Sequence, residues 1–384
     1  MKRFSVTPDV KQHMVVCGNE NTFCAHPVEA GEIFNFGNGE IAFMHLHSEC
    51  EYSENANLRH GQTGVHNWAK VLLTRSMDGG LTWPESGHTV VFDQGLSIEE
   101  QRKILGNTAT SQNTPPMTKN TVFHFGKSFS GEEIGPGRHQ IVPYIVRSED
   151  KGHTWSKEVT IPLNNAYTFY QSSGAGFIRQ GGRLLKQMVV SPTPGADNCT
   201  PHSFAYNVLY CSEDNGITWQ FISEIARDPN GENNHSYASL IDLGGGRLMA
   251  ASGAWRLRDS RTRWISTCFS DDNGLNWSEP KTIQSFGTAP NSLLLKDGRI
   301  LILYARRFPA VTRGIYGIAS CDGGMTWSNE FTLRNGDASG PDIGYPVAIQ
   351  LDNGDVFTGY YYMVEDGLPM SGKRRHVAGT IFSI

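Results

Sequence analysis

The residues best able to do chemistry in this 384-residue chain open its short apolar runs. Ala25-His26-Pro27, Phe169-Tyr170-Gln171-Ser172, Asn234-His235-Ser236-Tyr237, Ala289-Pro290-Asn291 and Gly344-Tyr345-Pro346 each stand at such a start. Asn113 is the counterpart in the one run whose beginning is poorly marked. Histidine can give or take a proton near neutral pH without a carboxylate partner, so His26 and His235 read as acid/base candidates. Tyr345 joins them, with Tyr170, Gln171 and Asn291 as binding groups; a purely structural set would more naturally be small and apolar. His60 and His66 lie in the insertion HSECEYSENANLRHGQTGVHNWAK from His47. Long insertions of this kind commonly build pocket walls, and the structural alternative is a solvated loop. His45 and His47 form an H-x-H pair on a strand-like run, and alternation along a strand would put both imidazoles on one face. No third ligand is evident in the sequence, so neither a metal nor another cofactor is expected.

These residues need a scaffold, and internal repeats supply it. One octapeptide recurs as SMDGGLTW from Ser76, SEDKGHTW from Ser148, SEDNGITW from Ser212, SDDNGLNW from Ser270 and SCDGGMTW from Ser320. Its pattern, S-x-D-x-G-x-T/N-W, is that of a hairpin turn. Asp bonds backbone N–H groups of its own turn, Gly supplies a positive φ, and Trp anchors the returning strand. A second signal, at Gly37, Gly181, Gly244, Asp297 and Asn353, puts turn residues between two apolar runs and marks a hairpin between a unit's first two strands. Together they define an all-β, single-domain, six-bladed β-propeller with units at about 24–95, 105–165, 168–230, 234–285, 287–335 and 341–384. Closure requires residues 1–23 to pair into the final blade.

Composition agrees and excludes other classes. The chain has 42 Gly, eight Trp and 19 Phe beside 18% charged residues, which suits many short strands. A net charge of -5 with no Lys/Arg run of five or more excludes the footprint of a nucleic-acid binder. No stretch of about 18 apolar residues is present, so no membrane helix is expected. Seven cysteines without a C-x-x-C spacing argue against a disulfide framework. The N-terminal MKRFSVTPDVKQHMVV is not a signal peptide, so a cytoplasmic location is expected for the chain as given, and a periplasmic or secreted one had a signal been removed.

The octapeptides resemble the Asp-boxes, or bacterial neuraminidase repeats, of the sialidase superfamily, and GYPVAIQLDNGDVFTGYYY and APNSLLLKDGRILILYARR are similar to its sialidase-like members. The resemblance implies that Asp78, Asp150, Asp214, Asp272 and Asp322 are structural. It also implies a site on the central axis, built from an arginine cluster for a substrate carboxylate, a tyrosine nucleophile served by a Glu, and an Asp acid/base. Tyr345 takes the position of the nucleophile. Arg256 or Arg263, before the box at Ser270, and Arg313, before the box at Ser320, take arginine positions. Arginine suits that task through its planar bidentate fork.

Two departures matter. Ala25-His26-Pro27 replaces the family's Arg-Ile-Pro, and Asn234-His235 stands where a Glu would open the fourth unit, with Glu232 slightly early. Three readings stay open: an exo-acting, sialidase-like glycoside hydrolase releasing an acidic or unusual terminal sugar; a polysaccharide lyase cutting beside a uronic acid with a His/Tyr/Arg centre; and a glycan-binding propeller without turnover. All three make a glycan the partner.

Overall fold

In the computed structural model the chain is described over residues 4–384 except 20, 28–31, 51–68, 109, 111–113, 137, 156–157, 161–166, 172–176, 181, 193–203 and 365–373. After β1 (Asp9–Cys17), the first sheet contains β2 (Thr22–Ala25), β3 (Ile33–Gly37), β4 (Glu40–Glu49), β5 (Lys70–Ser76) and β6 (Thr89–Asp93). Its order is β2-β4-β5-β6, with β3 also paired to β4. A short helix, α1 (Ile98–Leu105), follows; Ser97 and Glu100 cap each other's backbone at its start. Next come β7 (Val122–Ser128), a small hairpin of β8 (Glu133–Gly135) and β9 (Arg138–His139), then β10 (Val142–Ser148) and β11 (Glu158–Thr160). Here β11-β10-β7 form a sheet of three strands only.

The third sheet is β12 (Thr168–Gln171), β14 (Arg183–Ser191), β15 (Tyr206–Ser212) and β16 (Gln220–Ile225), with β13 (Ile178–Gln180) on β14. The fourth runs β17 (Asn233–Gly244), β18 (Arg247–Arg256), β19 (Asp259–Ser270) and β20 (Lys281–Gln284). The fifth runs β21 (Thr288–Leu294), β22 (Ile300–Arg306), β23 (Gly314–Ser320) and β24 (Phe331–Asn335). In the last, β25 (Gly344–Gln350), β26 (Val356–Val364) and β27 (Arg374–Ser383) receive β1 as the outer strand, Asp9 opposite Ser383 and Cys17 opposite Val377. The N-terminal segment thus closes the ring as the sequence requires.

The expectation of six blades is corrected to five complete four-stranded ones. The segment before β7 carries Pro115-Pro116, which have no N–H to give a ladder, and the described residues there form no inner strand. The three-stranded sheet lies between the first and third sheets: Phe92 packs on Tyr144 at 4.3 Å, and Phe123 packs on Phe177 at 5.5 Å. Beside it, Lys186 of β14 reaches Glu32, just before β3, at 3.5 Å, joining the first and third sheets directly.

Four octapeptides turn the third strand of a sheet toward the fourth, the one at Ser148 turns β10 toward β11, and the Ser–Asp–Thr/Asn bonds are shared by all five. Ser76 Oγ donates to Asp78 Oδ1 at 2.7 Å, Thr82 N–H and Oγ1 bond the same carboxylate at 2.9 and 2.6 Å, and Trp83 Nε1 donates to Gly80 O. Gly80 is required twice over: its φ is +92°, and a Cβ there would meet Phe357 of the last sheet at 2.9 Å. In the box at Ser270, bonds from Asn276 and Ser270 hold the Asp272 carboxyl at about 2. These carboxylates stay ionised and engaged, which suits a staple and not an acid.

The inner strands break from regularity at one recurring place. Register shifts fall at Ser236/Ser239, Thr288/Asn291 and Gly344/Val347, and the first and third inner strands are each split in two. His26, Tyr237, Ala289 and Tyr345 have φ between +47° and +56°, and Pro27, Pro290 and Pro346 follow three of them. Left-handed backbone is costly for side chains as bulky as Tyr, and such strain and bulges gather where a side chain is re-aimed for function.

Candidate active site

These four strained residues lie near the start of a first strand, and in an antiparallel sheet that end also holds the end of the second strand and the start of the third. Those positions carry Tyr361 near the end of β26, Arg307 just past β22, Arg263 near the start of β19 and Arg375 at the start of β27. The Asp-boxes leave from the ends of third strands, so they occupy the opposite end of the molecule.

Four rings form the heart of the cluster. His26 packs on Tyr345 with centroids 4.7 Å apart and edge-on to Tyr361 at 5.2 Å. Tyr237 meets Tyr345 at 5.2 Å in a T-shaped contact, and Tyr345 lies 5.8 Å from Tyr361. Gly344 lets this strand approach its neighbour: its φ is +120°, and a Cβ would lie 2.5 Å from Ala305 Cβ.

Arginines surround the rings. Arg307 lies 5.2 Å from the Tyr345 centroid, donates through Nε to Ile343 O at 2.9 Å and through Nη2 to Tyr361 Oη at 2.8 Å. Tyr361 Oη passes its own proton toward Asp342 Oδ1 at 2.7 Å, and Asp342 Oδ2 accepts from Arg375 Nε at 2.5 Å. Arg263 stacks on Trp255 at 4.9 Å and reaches Thr288 Oγ1 at 3.3 Å. Burial works against the Arg307 charge, but Tyr361, Tyr345 and Asp342 favour it and hold its pKa above the ordinary value. Burial and the neighbouring Arg307 charge push Arg263 the other way.

Of the residues singled out from sequence, His26, Tyr345 and Arg263 come together here. His235 does not join their rings: its Nδ1 pairs with Ser266 Oγ at 3.2 Å within the fourth sheet, and burial lowers its pKa to about 4. Asn291 uses Oδ1 to accept from Ala348 N–H at 3.0 Å, which ties the fifth sheet to the last. Arg256 is exposed at the end of β18. Arg313 donates Nε to Arg307 O at 3.3 Å and so supports the loop that carries Arg307. The shift in β12 falls between Phe169 and Gln171, at Tyr170, and the side chains of Tyr170 and Gln171 lie outside the described residues, as do His60, His66 and Asn113. The sequence reading missed Arg307, Tyr361, Asp342 and Arg375. The pair Arg306-Arg307 was the available signal: Arg306 meets Glu330 at 2.7 Å, leaving its neighbour to face the rings.

Fold and box chemistry define a sialidase-like β-propeller. A family model described as a BNR repeat-like domain matches residues 70–358, and the chain belongs to that family. A sialidase of Clostridium perfringens is 25% identical over 210 residues, which cover 50% of this chain and 54% of that protein; the match spans about half of its length. A Dyadobacter fermentans protein of unknown function shares the fold with a TM-score of 0.71 at 20% identity, over 98% of this chain and 99% of that one. Penicillium chrysogenum alpha-L-arabinanase complexed with arabinobiose has a TM-score of 0.60 at 12% identity, over 98% of both chains. Hadza microbial sialidase Hz136 has a TM-score of 0.57 at 17% identity, over 92% of this chain and 65% of that one.

Proposed function

We propose that the protein is an exo-acting glycoside hydrolase that releases a terminal sugar bearing a carboxylate. The observation that carries this reading is the Arg307 guanidinium 5.2 Å from the Tyr345 ring, with the Arg263 charge near enough to oppose it. Two cations sharing a half-buried centre favour a bidentate anionic group, and a neutral phenol can attack an anionic sugar without like-charge repulsion. The sialidase and arabinanase relatives support hydrolysis as the reaction class.

In this reading Tyr345 Oη attacks the anomeric carbon, His26 takes its proton, and the glycosidic C–O bond breaks as the proton passes to the leaving oxygen. Water then displaces Tyr345, which regains its proton, and the sugar leaves with a new hydroxyl. His26 fills the base role because its ring packs directly on Tyr345. Asp342 and Tyr361 are positioning residues that orient Arg375 and Arg307.

One observation favours a second reading. The imidazole at position 26, against Tyr345, also suits removal of the C5 proton of a uronate whose carboxylate the arginines neutralise, with elimination of the 4-linked sugar. The two are separated by product. Aryl glycosides of acidic sugars and uronate polymers are incubated with the protein, and free sugar is measured beside ultraviolet absorbance. Hydrolysis predicts free acidic sugar without an unsaturated product. An absorbing product gives the lyase reading, and no product from any substrate gives a binding propeller.

A further inference from the structure

The end of the molecule that carries the rings holds a second, chemically different cluster. Cys24 on β2 and His47 on β4 are directly opposed in the antiparallel pair, and His45 lies two residues along the same face of β4. Cys17, the last residue of β1, comes from the sheet on the other side of the ring closure. Cys24 Sγ lies 3.9 Å from Cys17 Sγ and 3.3 Å from His47 Nδ1, and Cys17 Sγ lies 3.9 Å from His47 Nδ1. The ligand atoms of Cys17, Cys24 and His45 all fall within 4.8 Å of one another. His45 Nδ1 is engaged by Leu46 O at 3.2 Å, which leaves Nε2 as the atom for the cluster; it is buried and makes no hydrogen bond of acceptable geometry.

We propose that Cys17, Cys24 and His45 hold a divalent zinc ion at a structural site, with His47 beside the two thiols. With Zn–S near 2.3 Å and Zn–N near 2.0 Å, a tetrahedron has S–S edges of about 3.8 Å and S–N edges of about 3.6 Å. The sulfur pair, 3.9 Å apart, lies close to that edge, and the ligand atoms of Cys17, Cys24 and His45 fall within one coordination sphere. Two thiolates with an imidazole are a donor set that zinc prefers over calcium, magnesium or manganese. Cys17, Cys24 and His45 are each at least 93% buried, which shuts the ion away from a substrate and marks a structural site. The backbone contact at His45 Nδ1 fixes the ring so that Nε2 faces the ion. Entry of the ion releases the two thiol protons to solvent, with no change of oxidation state.

The consequence is a clamp on ring closure. The ion joins the last strand of the closing sheet to the first and second strands of the opening one. Its cysteine on β2 is two residues from His26, so the clamp also holds the strained segment that carries His26 to Tyr345.

The test uses the whole protein, produced with zinc present and thiols kept reduced. Metal analysis is expected to give about one zinc per chain. Cys17→Ser and Cys24→Ser are expected to reduce it to background, and a strong chelator to lower the thermal midpoint of the wild type but not of the variants. Cobalt(II) added to chelated wild-type protein should give a thiolate charge-transfer band and tetrahedral visible bands, a readout that stands even if the variants fail to fold. Wild-type protein with titratable thiols, no stoichiometric zinc and no cobalt–thiolate band overturns the proposal. So does an intact mass showing a Cys17–Cys24 disulfide that, once reduced, still takes up no metal.

Discussion

Replacing His235 with Asn should remove part of the protein's acid sensitivity while leaving turnover intact. His235 is only 6% exposed, and burial lowers its pKa from 6.5 to about 4, with Asp228 the one charge that opposes the shift. Because the folded pKa is the lower one, the unfolded chain takes up the proton first. The stabilisation is therefore whole above the unfolded pKa of 6.5 and is lost as pH falls toward about 4. Linkage gives a loss of about 2 kcal/mol by pH 5 and about 3 kcal/mol by pH 4. Asn keeps a polar group within reach of Ser266 Oγ and cannot titrate. The assay is urea unfolding of both proteins at pH 7 and pH 5, where every other group contributes equally and cancels in the difference. The wild type should lose about 2 kcal/mol more than the variant over that interval. Equal losses would refute the burial argument. A folded variant without turnover would refute the placement of His235 outside the centre.

Two further perturbations probe the scaffold. Asp214→Ala removes the acceptor for Ser212 Oγ, Thr218 N–H and Thr218 Oγ1 and should cost about 1–3 kcal/mol in chemical unfolding without changing KM, since the box lies at the end opposite the rings. Glu32→Gln withdraws the counter-charge of Lys186, whose pKa burial already lowers while Glu32 raises it. It should destabilise by roughly 3–5 kcal/mol, and adding Lys186→Met should recover most of the loss; failure of that recovery would show the pair is not what holds the first sheet to the third.

How much of this was legible in sequence depended on how local the chemistry was. The Asp-boxes and first hairpins were readable because each turn is completed within a few residues, as with Ser76, Asp78, Gly80 and Trp83. Ring closure by β1 followed from the need to cover an edge. The count of complete blades was misjudged because spacing between boxes measures chain length and does not register that the described residues before β7, which carry Pro115-Pro116, form no inner strand. His26 and Tyr345 were found because they open first strands. His235 was favoured over Tyr237 because the shift between Ser236 and Ser239 re-aims side chains in a way that simple alternation does not encode. Arg307, Tyr361, Asp342 and Arg375 carry no repeated signature, and only the packing of the last two sheets brings them together. The pairing of Cys17 and Cys24 with the H-x-H run was likewise invisible, since the first lies in the closing strand.

The most direct test of the central claim is covalent trapping at the rings. Wild-type protein, Tyr345→Phe and Arg307→Met are exposed to an activated 2-fluoro glycoside of an acidic sugar, digested, and mapped by mass. The sugar should appear on the wild-type peptide that holds Tyr345, be absent from Tyr345→Phe, and be strongly reduced in Arg307→Met. A wild type that hydrolyses acidic glycosides with no label on that peptide, at a rate Tyr345→Phe retains, would contradict the account.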